Sequence, residues 1–142
     1  MLDALYNTDI LTLSAGLKNE RLSNPDATSR KVSKLCGSWV EVDLNITGRK
    51  VSELALRVQA CALGQASAAI LQKAIIGTTL EELQHARDSL YDMLKNDGPS
   101  PKGRFKDLEL LAGVSAYPAR HTSTLLAFDA ALEAMQSASH SG

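Results

Sequence analysis

Hydrophobic and polar positions change their period along the chain, and each change predicts an element. Leu2, Leu5, Ile10, Leu13 and Leu17 recur at roughly helical spacing, which predicts a helix over residues 1–17. Residues 18–31 are polar, are punctuated by Asn24-Pro25, and read as a connection. After a short predicted strand around Lys31–Leu35 the period falls to two. Val40, Val42, Leu44 and Ile46 alternate with Glu41, Asp43 and Asn45, the pattern of a half-buried strand. Thr47-Gly48-Arg49-Lys50 reads as a turn, and Leu54, Leu56 and Val58 alternate again, so the two strands form a hairpin. A helical period follows in the Ala- and Leu-rich stretch Ala62–Ile76, stopped by Gly77. Thr79-Leu-Glu-Glu82 has the form of a capping box and opens a helix with Leu83, Arg87, Leu90 and Leu94 on one stripe. Residues 96–103 break it as a loop, and a short segment around 107–112 leads to Tyr117-Pro118-Ala119-Arg120. The last helix carries Leu125, Phe128, Leu132 and Met135 as a core stripe. Three strands cannot stand alone, so helices must cover one face of the sheet. The chain reads as an α+β domain over residues 1–136, with a disordered tail at 137–142.

Composition narrows the function classes without choosing among them. The 142 residues carry 15 Lys+Arg against 16 Asp+Glu, a net charge of −1. There is no basic excess to recognise a phosphate backbone or an anionic bilayer, so neither nucleic acid nor membrane is the expected partner. No apolar stretch approaches the ~20 residues of a membrane helix, and the opening residues lack the basic start and apolar core of a signal peptide. A cytoplasmic protein is expected. Aromatic residues make up 4%, too few for a base-stacking platform. No Gly-rich phosphate loop, Gly-x-Ser-x-Gly elbow or His-x-x-x-His pair occurs.

Chemistry therefore falls to two cysteines, Cys36 and Cys61. They are too few for a disulfide framework or a self-contained four-thiolate site. Cys36 stands at a strand–strand corner beside Gly37, whose missing Cβ lets a ligand approach the backbone; the alternative is a small buried apolar residue. Cys61 ends a strand at the mouth of the Ala62–Ile76 helix, where free N–H groups and the helix dipole favour an anion, so its thiolate is expected to be stabilised. The thiols are 25 residues apart with a hairpin between them. An antiparallel pair of similar strands returns the chain to its starting end, which places both thiols on the same edge of the sheet. Of the three histidines, His85 shares a polar helix face with Glu81, Asp88 and Asp92, and His140 lies in the tail. His121 starts the last helix and could reach the thiols. Ser123 lies about 200° further round a regular helix, so only one of the two faces them.

Several stretches are similar to one family. They are Tyr6 with Asn24-Pro25, Leu35-Cys36-Gly37, and Gln59-Ala-Cys61-Ala-Leu-Gly-Gln-Ala-Ser67. Further on come Ile76-Gly77 with Thr79, Leu111-Ala-Gly-Val114, Tyr117-Pro-Ala-Arg120, and Leu125-Leu-Ala-Phe-Asp129. Together they resemble the iron–sulfur cluster assembly scaffolds: IscU, SufU and the N-terminal domain of NifU. The similarity covers about residues 5–134. The long loop before Leu111 and the Pro-Ala-Arg look more like SufU than IscU. The resemblance implies a SufE/NifU-like fold, a three-stranded antiparallel sheet with helices on one face. It also implies a site of three cysteines and an aspartate that binds iron in a nascent Fe–S cluster or, in SufU-like members, zinc. Its implied partners are a cysteine desulfurase and Fe–S acceptor proteins.

Carried over position by position, the implied ligands fall on Cys36, Ser38 (where the family has its aspartate), Cys61 and Ser123 (where it has its third cysteine). A serine hydroxyl is a poor ligand at neutral pH, because metals take the deprotonated donor. The leading expectation is a non-enzymatic scaffold, monomeric or weakly dimeric. It holds iron or a labile cluster through Cys36 and Cys61, with His121, Ser123, Ser38 or a second subunit completing the shell. The alternatives are a zinc-dependent sulfur acceptor using Cys61, and a ligand-depleted relative that only binds partners.

Overall fold

The computed structural model describes residues 7–141. Leu2, Leu5 and Tyr6, read as part of the first helix and of the family pattern, lie outside the described residues. Helix α1 spans Thr8–Gly16, capped by Asn7, whose side chain accepts from the Ile10 N–H at 3.0 Å, and it buries Ile10. Strands β1 (Ala27–Val32), β2 (Trp39–Thr47) and β3 (Lys50–Gln59) form an antiparallel sheet in the order β1-β2-β3. Gly48 and Arg49 both have positive φ, 58° and 68°, so the β2–β3 turn is tight and its twist matches the strands it joins. Helix α2 (Ala62–Ala74) follows, then α3 (Leu80–Asn96), a 3-10 segment (Gly103–Ala116, kinked at Phe105), a single 3-10 turn (Pro118–Arg120), and α4 (His121–Ser141).

Helices cover one face of the sheet. Helix α4 packs across β1 and β2, and α2 packs against β3 and α4. The inward side chains of β2, Val40, Val42 and Leu44, are fully buried with Leu56, Leu63, Ile70, Leu83, Leu90, Leu108 and Phe128. The expected stripe of the last helix is all in this core. The predicted capping box of α3 is formed: Glu82 N–H donates to Thr79 Oγ1 at 3.2 Å, and the Thr79 N–H donates to Glu82 Oε1 at 3.2 Å.

Three sequence expectations are corrected. The first strand lies at Ala27–Val32 rather than Lys31–Leu35, because its inward positions are Ala27 and Ser29, too small and polar to register as apolar alternation. The segment before Tyr117 is a 3-10 run of 14 residues, kinked at Phe105, with Phe105, Leu108, Leu111 and Val114 buried. Helix α4 continues to Ser141, through residues whose composition predicts disorder.

The outer face of the sheet is also covered. The connection over residues 17–26 crosses it from the free edge of β3 to β1. Val58 N–H donates to Asn19 Oδ1 at 2.8 Å, Glu20 N–H to the Leu56 carbonyl at 3.0 Å, and Leu22 N–H to Asp43 Oδ2 at 3.1 Å. Beneath it lie Asp43 and Arg57, only 4% and 8% exposed. Arg57 grips Asp43 with two bonds, 2.7 and 2.9 Å, and Glu41 with two more, 2.8 and 3.2 Å. Asp43 is held to about 2, below the usual carboxylate range, first by the Arg57 guanidinium and further by Thr28 and the Leu22 N–H.

Candidate functional site

The site is assembled where β1 turns into β2, where β3 runs into α2, and where α4 begins. Antiparallel pairing sets Val32 opposite Trp39 and Trp39 opposite Gln59. The corner before Trp39, which holds Cys36 and Ser38, and the step after Gln59, which leads to Cys61, therefore share one end of the sheet. The corner is closed by two backbone bonds, Ser33 N–H to the Ser38 carbonyl at 2.7 Å and Gly37 N–H to the Ser33 carbonyl at 2.9 Å. Gly37 has φ +74°, a conformation that side chains resist, so glycine is what lets the corner turn this tightly.

Cys36 is exposed, so the buried alternative for it fails. Its Sγ donates to Ser33 Oγ at 3.5 Å and lies 3.0 Å from Ser38 Oγ. The hydroxyls of Ser33 and then Ser38, with the Ser38 backbone and the charge of Arg120, lower this thiol to about 7. Cys61 is half-buried and is the N-cap residue of α2, with extended backbone and no side-chain cap bond. Its Sγ lies 3.7 Å from Ser123 Oγ, and that hydroxyl donates to the Arg120 carbonyl at 3.2 Å.

Helix α2 reaches Ser123 because residue 64 is glycine. A Cβ there would stand 2.8 Å from the Ala60 Cβ and 3.1 Å from the Ser123 carbonyl oxygen. The junction is held from the other side by Ser14 of α1, which donates to the Ala62 carbonyl at 2.8 Å.

The four positions that the resemblance implies stand as two thiol–hydroxyl pairs, Cys36 with Ser38 and Cys61 with Ser123. The charge of Arg120 acts on Cys36, and its carbonyl accepts from Ser123. His121 stands apart from both pairs. It is 3% exposed, and its Nε2 lies 3.0 Å from the Val114 carbonyl and 3.2 Å from that of Ser115, which turns the ring under the 3-10 segment; its Nδ1 has no partner among the described residues. Of the two candidates on α4, it is Ser123 that faces a thiol. His85 is exposed, as its polar helix face predicts. Sequence reasoning missed Ser33 and the charge of Arg120. Ser33 sits three residues before Cys36, the spacing of a turn, and Arg120 lay inside a motif read only as a landmark.

The donor set departs from what a metal prefers. Among the described residues, no group of three or more His, Cys, Asp or Glu side chains is placed to hold a metal ion. Two soft thiolate donors remain, beside hydroxyls that stay protonated at neutral pH. Also among the described residues, no helix is long and apolar enough to cross a membrane.

No family model matches the chain. It is similar in structure to the nitrogen-fixing NifU-like protein (N-terminal) of Brucella abortus, with a TM-score of 0.96 and 42% identity over 99% of each chain. It is 26% identical to the iron–sulfur cluster assembly scaffold protein IscU of Streptococcus pyogenes serotype M1, over 85% of this chain and 70% of that one. It is 25% identical to the zinc-dependent sulfurtransferase SufU of Bacillus subtilis strain 168, over 91% of this chain and 88% of that one. On a 42% identity that spans the whole fold, the chain belongs to the IscU/SufU/NifU-like family.

Proposed function

We propose that this protein is an iron–sulfur cluster assembly scaffold, which holds iron or a nascent cluster at Cys36 and Cys61 and passes it to acceptor proteins. The observation that carries the reading is that two thiols from distant parts of the chain stand at the same end of the sheet, each beside a hydroxyl. A purely structural role needs neither thiol there. The exposed corner suits a carrier: cargo bound at Cys36 is reachable by a donor and by an acceptor. Ser38 and Ser123, in place of a carboxylate and a thiolate, weaken the hold and so ease release. A cysteine desulfurase is the partner class that would supply sulfur. The test is anaerobic reconstitution with ferrous iron and sulfide. A thiolate-to-iron absorption is expected, lost in Cys36→Ala and in Cys61→Ala; an absorption that survives both substitutions refutes the assignment.

One observation favours a second reading, sulfur acceptance. Cys36 is exposed and its thiol is lowered to about 7, so a large fraction is thiolate at neutral pH. Its Sγ would attack the sulfane sulfur of a desulfurase persulfide, forming a new S–S bond as the desulfurase thiolate leaves. This moves the acceptor role from Cys61 to Cys36. Mass spectrometry after incubation with a desulfurase and cysteine distinguishes them: a gain of one sulfur on the Cys36 peptide is expected, and labelling at Cys61 alone contradicts it.

A further inference from the structure

We infer that the open edge of β1 is a docking site for an extended, acidic segment of a partner protein, which adds to the sheet as a fourth strand. The inference is independent of the thiol chemistry and needs no metal.

Unequal widths of the sheet and the helical layer make the first part of the case. Helix α2 packs on β3 and α4 on β2 and β1, whereas α3 packs against α4 and the 3-10 segment rather than against a strand. Beside β1, where the sheet stops, a groove of about 460 Å3 opens toward α3. Lys31 and Val32 line it on one side and Gln84 and Arg87 on the other, with Leu126 and Asp129 of α4 between them. A strand laid along β1 would extend the sheet beneath helices already in position.

Backbone groups make the second part. Ser33 N–H donates to the carbonyl of Ser38, the next pair in the register of β1 with β2. Antiparallel pairing alternates, so Lys31, Ser29 and Ala27 bond β2, and the N–H and C=O groups of Thr28, Arg30 and Val32 point out of the sheet. Among the described residues no other segment bonds those groups. The opposite edge is treated differently: there Glu20 N–H donates to the Leu56 carbonyl and Asn19 Oδ1 accepts from Val58 N–H. An uncovered edge is a template on which another chain can pair.

Charge selects the occupant. Between Thr28 and Ser38 the chain carries Arg30, Lys31 and Lys34 and no Asp or Glu. Lys31 is answered by Glu133 of α4 at 3.2 Å. Arg30 is exposed, has no ion pair among the described residues, and lies over the Trp39 ring, 4.2 Å from its centroid. Stacking holds the guanidinium at the edge, where a carboxylate on a neighbouring strand would stand beside it. A second copy of the chain is the poorer occupant, because the pairing that overlaps most of β1 centres on Arg30 and sets it against Arg30 of the other copy. Val32, 54% exposed, adds an apolar contact at the end of the strand. The segment that fits therefore alternates acidic residues with small apolar ones turned toward the groove. Since β1 leads into the corner of Cys36, a partner held along it is held close to that thiol.

The test adds the fluorescein-labelled peptide Thr-Glu-Val-Glu-Val-Glu-Thr to the full chain. It follows fluorescence anisotropy and, residue by residue, backbone amide exchange. A saturable rise in anisotropy is expected, with exchange slowed at Thr28, Arg30 and Val32. The same peptide methylated on the amides that face β1 is expected to bind about tenfold more weakly. Arg30→Glu is expected to weaken the unmethylated peptide by about tenfold or more. Val32→Pro removes one outward N–H and leaves the pairing with β2 intact, so binding should fall with an unchanged far-ultraviolet spectrum. The methylated peptide leaves the chain itself unaltered, so it decides even where the proline variant does not fold. Absence of saturation overturns the inference. Equal binding of the methylated peptide also overturns it, because charge alone then suffices. A dimer in light scattering that Val32→Pro dissociates assigns the edge to a second copy and overturns it as well.

Discussion

On the outer face of the sheet Arg57 meets two carboxylates and the Glu20 carbonyl, and Asp43 accepts from Arg57, Thr28 and the Leu22 N–H under a covering segment. At the thiol end of the same sheet, Cys36 is exposed, Arg120 has no carboxylate partner among the described residues, and Leu35 and Val32 stand in the open. Both regions are polar clusters built on β2 and its neighbours. In the first, buried charge is matched almost atom for atom, because a desolvated ion without a partner is costly. In the second, ligating and charged groups are left with spare capacity. A cluster that satisfies itself holds the sheet; a cluster that does not is available to bind something else.

If that division of labour is right, disturbing the outer face should unfold the protein, while disturbing the thiol end should cost function alone. Arg57→Ala leaves Asp43 and Glu41 without their shared cation and is expected to cost about 3–5 kcal/mol in chemical denaturation. By contrast Cys36→Ala, at an exposed corner, should fall within about 0.5 kcal/mol of the parent and still abolish iron uptake. A loss of comparable size in both variants would erase the distinction.

Gly64→Ala probes the junction between the two regimes. The added Cβ meets backbone and Ala60 rather than a flexible side-chain end, so α2 and α4 must move apart. A cost of about 1–3 kcal/mol is expected. Because the same contact sets the approach of Cys61 to Ser123, metal affinity should fall in the folded variant as well.

The acid limb of stability isolates the outer face. Asp43 is lowered to about 2 in the folded chain, so the unfolded chain binds the more protons between that value and the ordinary carboxylate range. Stability from this group is complete above the ordinary range and is lost as pH falls toward 2. Thermal unfolding followed from pH 5 to 2 should therefore show a steep decline that is shallower in Asp43→Asn.

How much of this was legible depends on whether a residue's partner is near in sequence. The hairpin and its turn, the capping box and the stripe of α4 follow from local period and local chemistry, and each stands where the pattern puts it. The placement of both thiols at one end of the sheet was legible too, since antiparallel strands of similar length return to one end. Burial of Asp43 and Arg57 was not, because the alternation of β2 and β3 marks those positions as outward and says nothing of the segment over residues 17–26 that covers them. The true position of β1 was not legible for a related reason: Ala27 and Ser29 face inward against α4, and the Ser29 hydroxyl bonds Glu133 far along the chain. The lowering of Cys36 rather than any feature of Cys61 also needed three dimensions, since it arises from two hydroxyls wrapped around one corner and a cation brought from the start of α4.

That last difference gives the smallest and most specific prediction. Cys36 alkylation by iodoacetamide should follow the thiolate fraction, with a midpoint near pH 7 and a tenfold fall in rate per pH unit below it. Ser33 and Ser38 hold the midpoint down by donating to the sulfur anion. Ser33→Ala and Ser38→Ala should each move it upward, and the double variant should move it furthest toward that of a free thiol. A midpoint for Cys36 that ignores both serines would mean that its hydroxyl neighbours do not set its reactivity. The thiol end would then differ from the outer face in exposure alone.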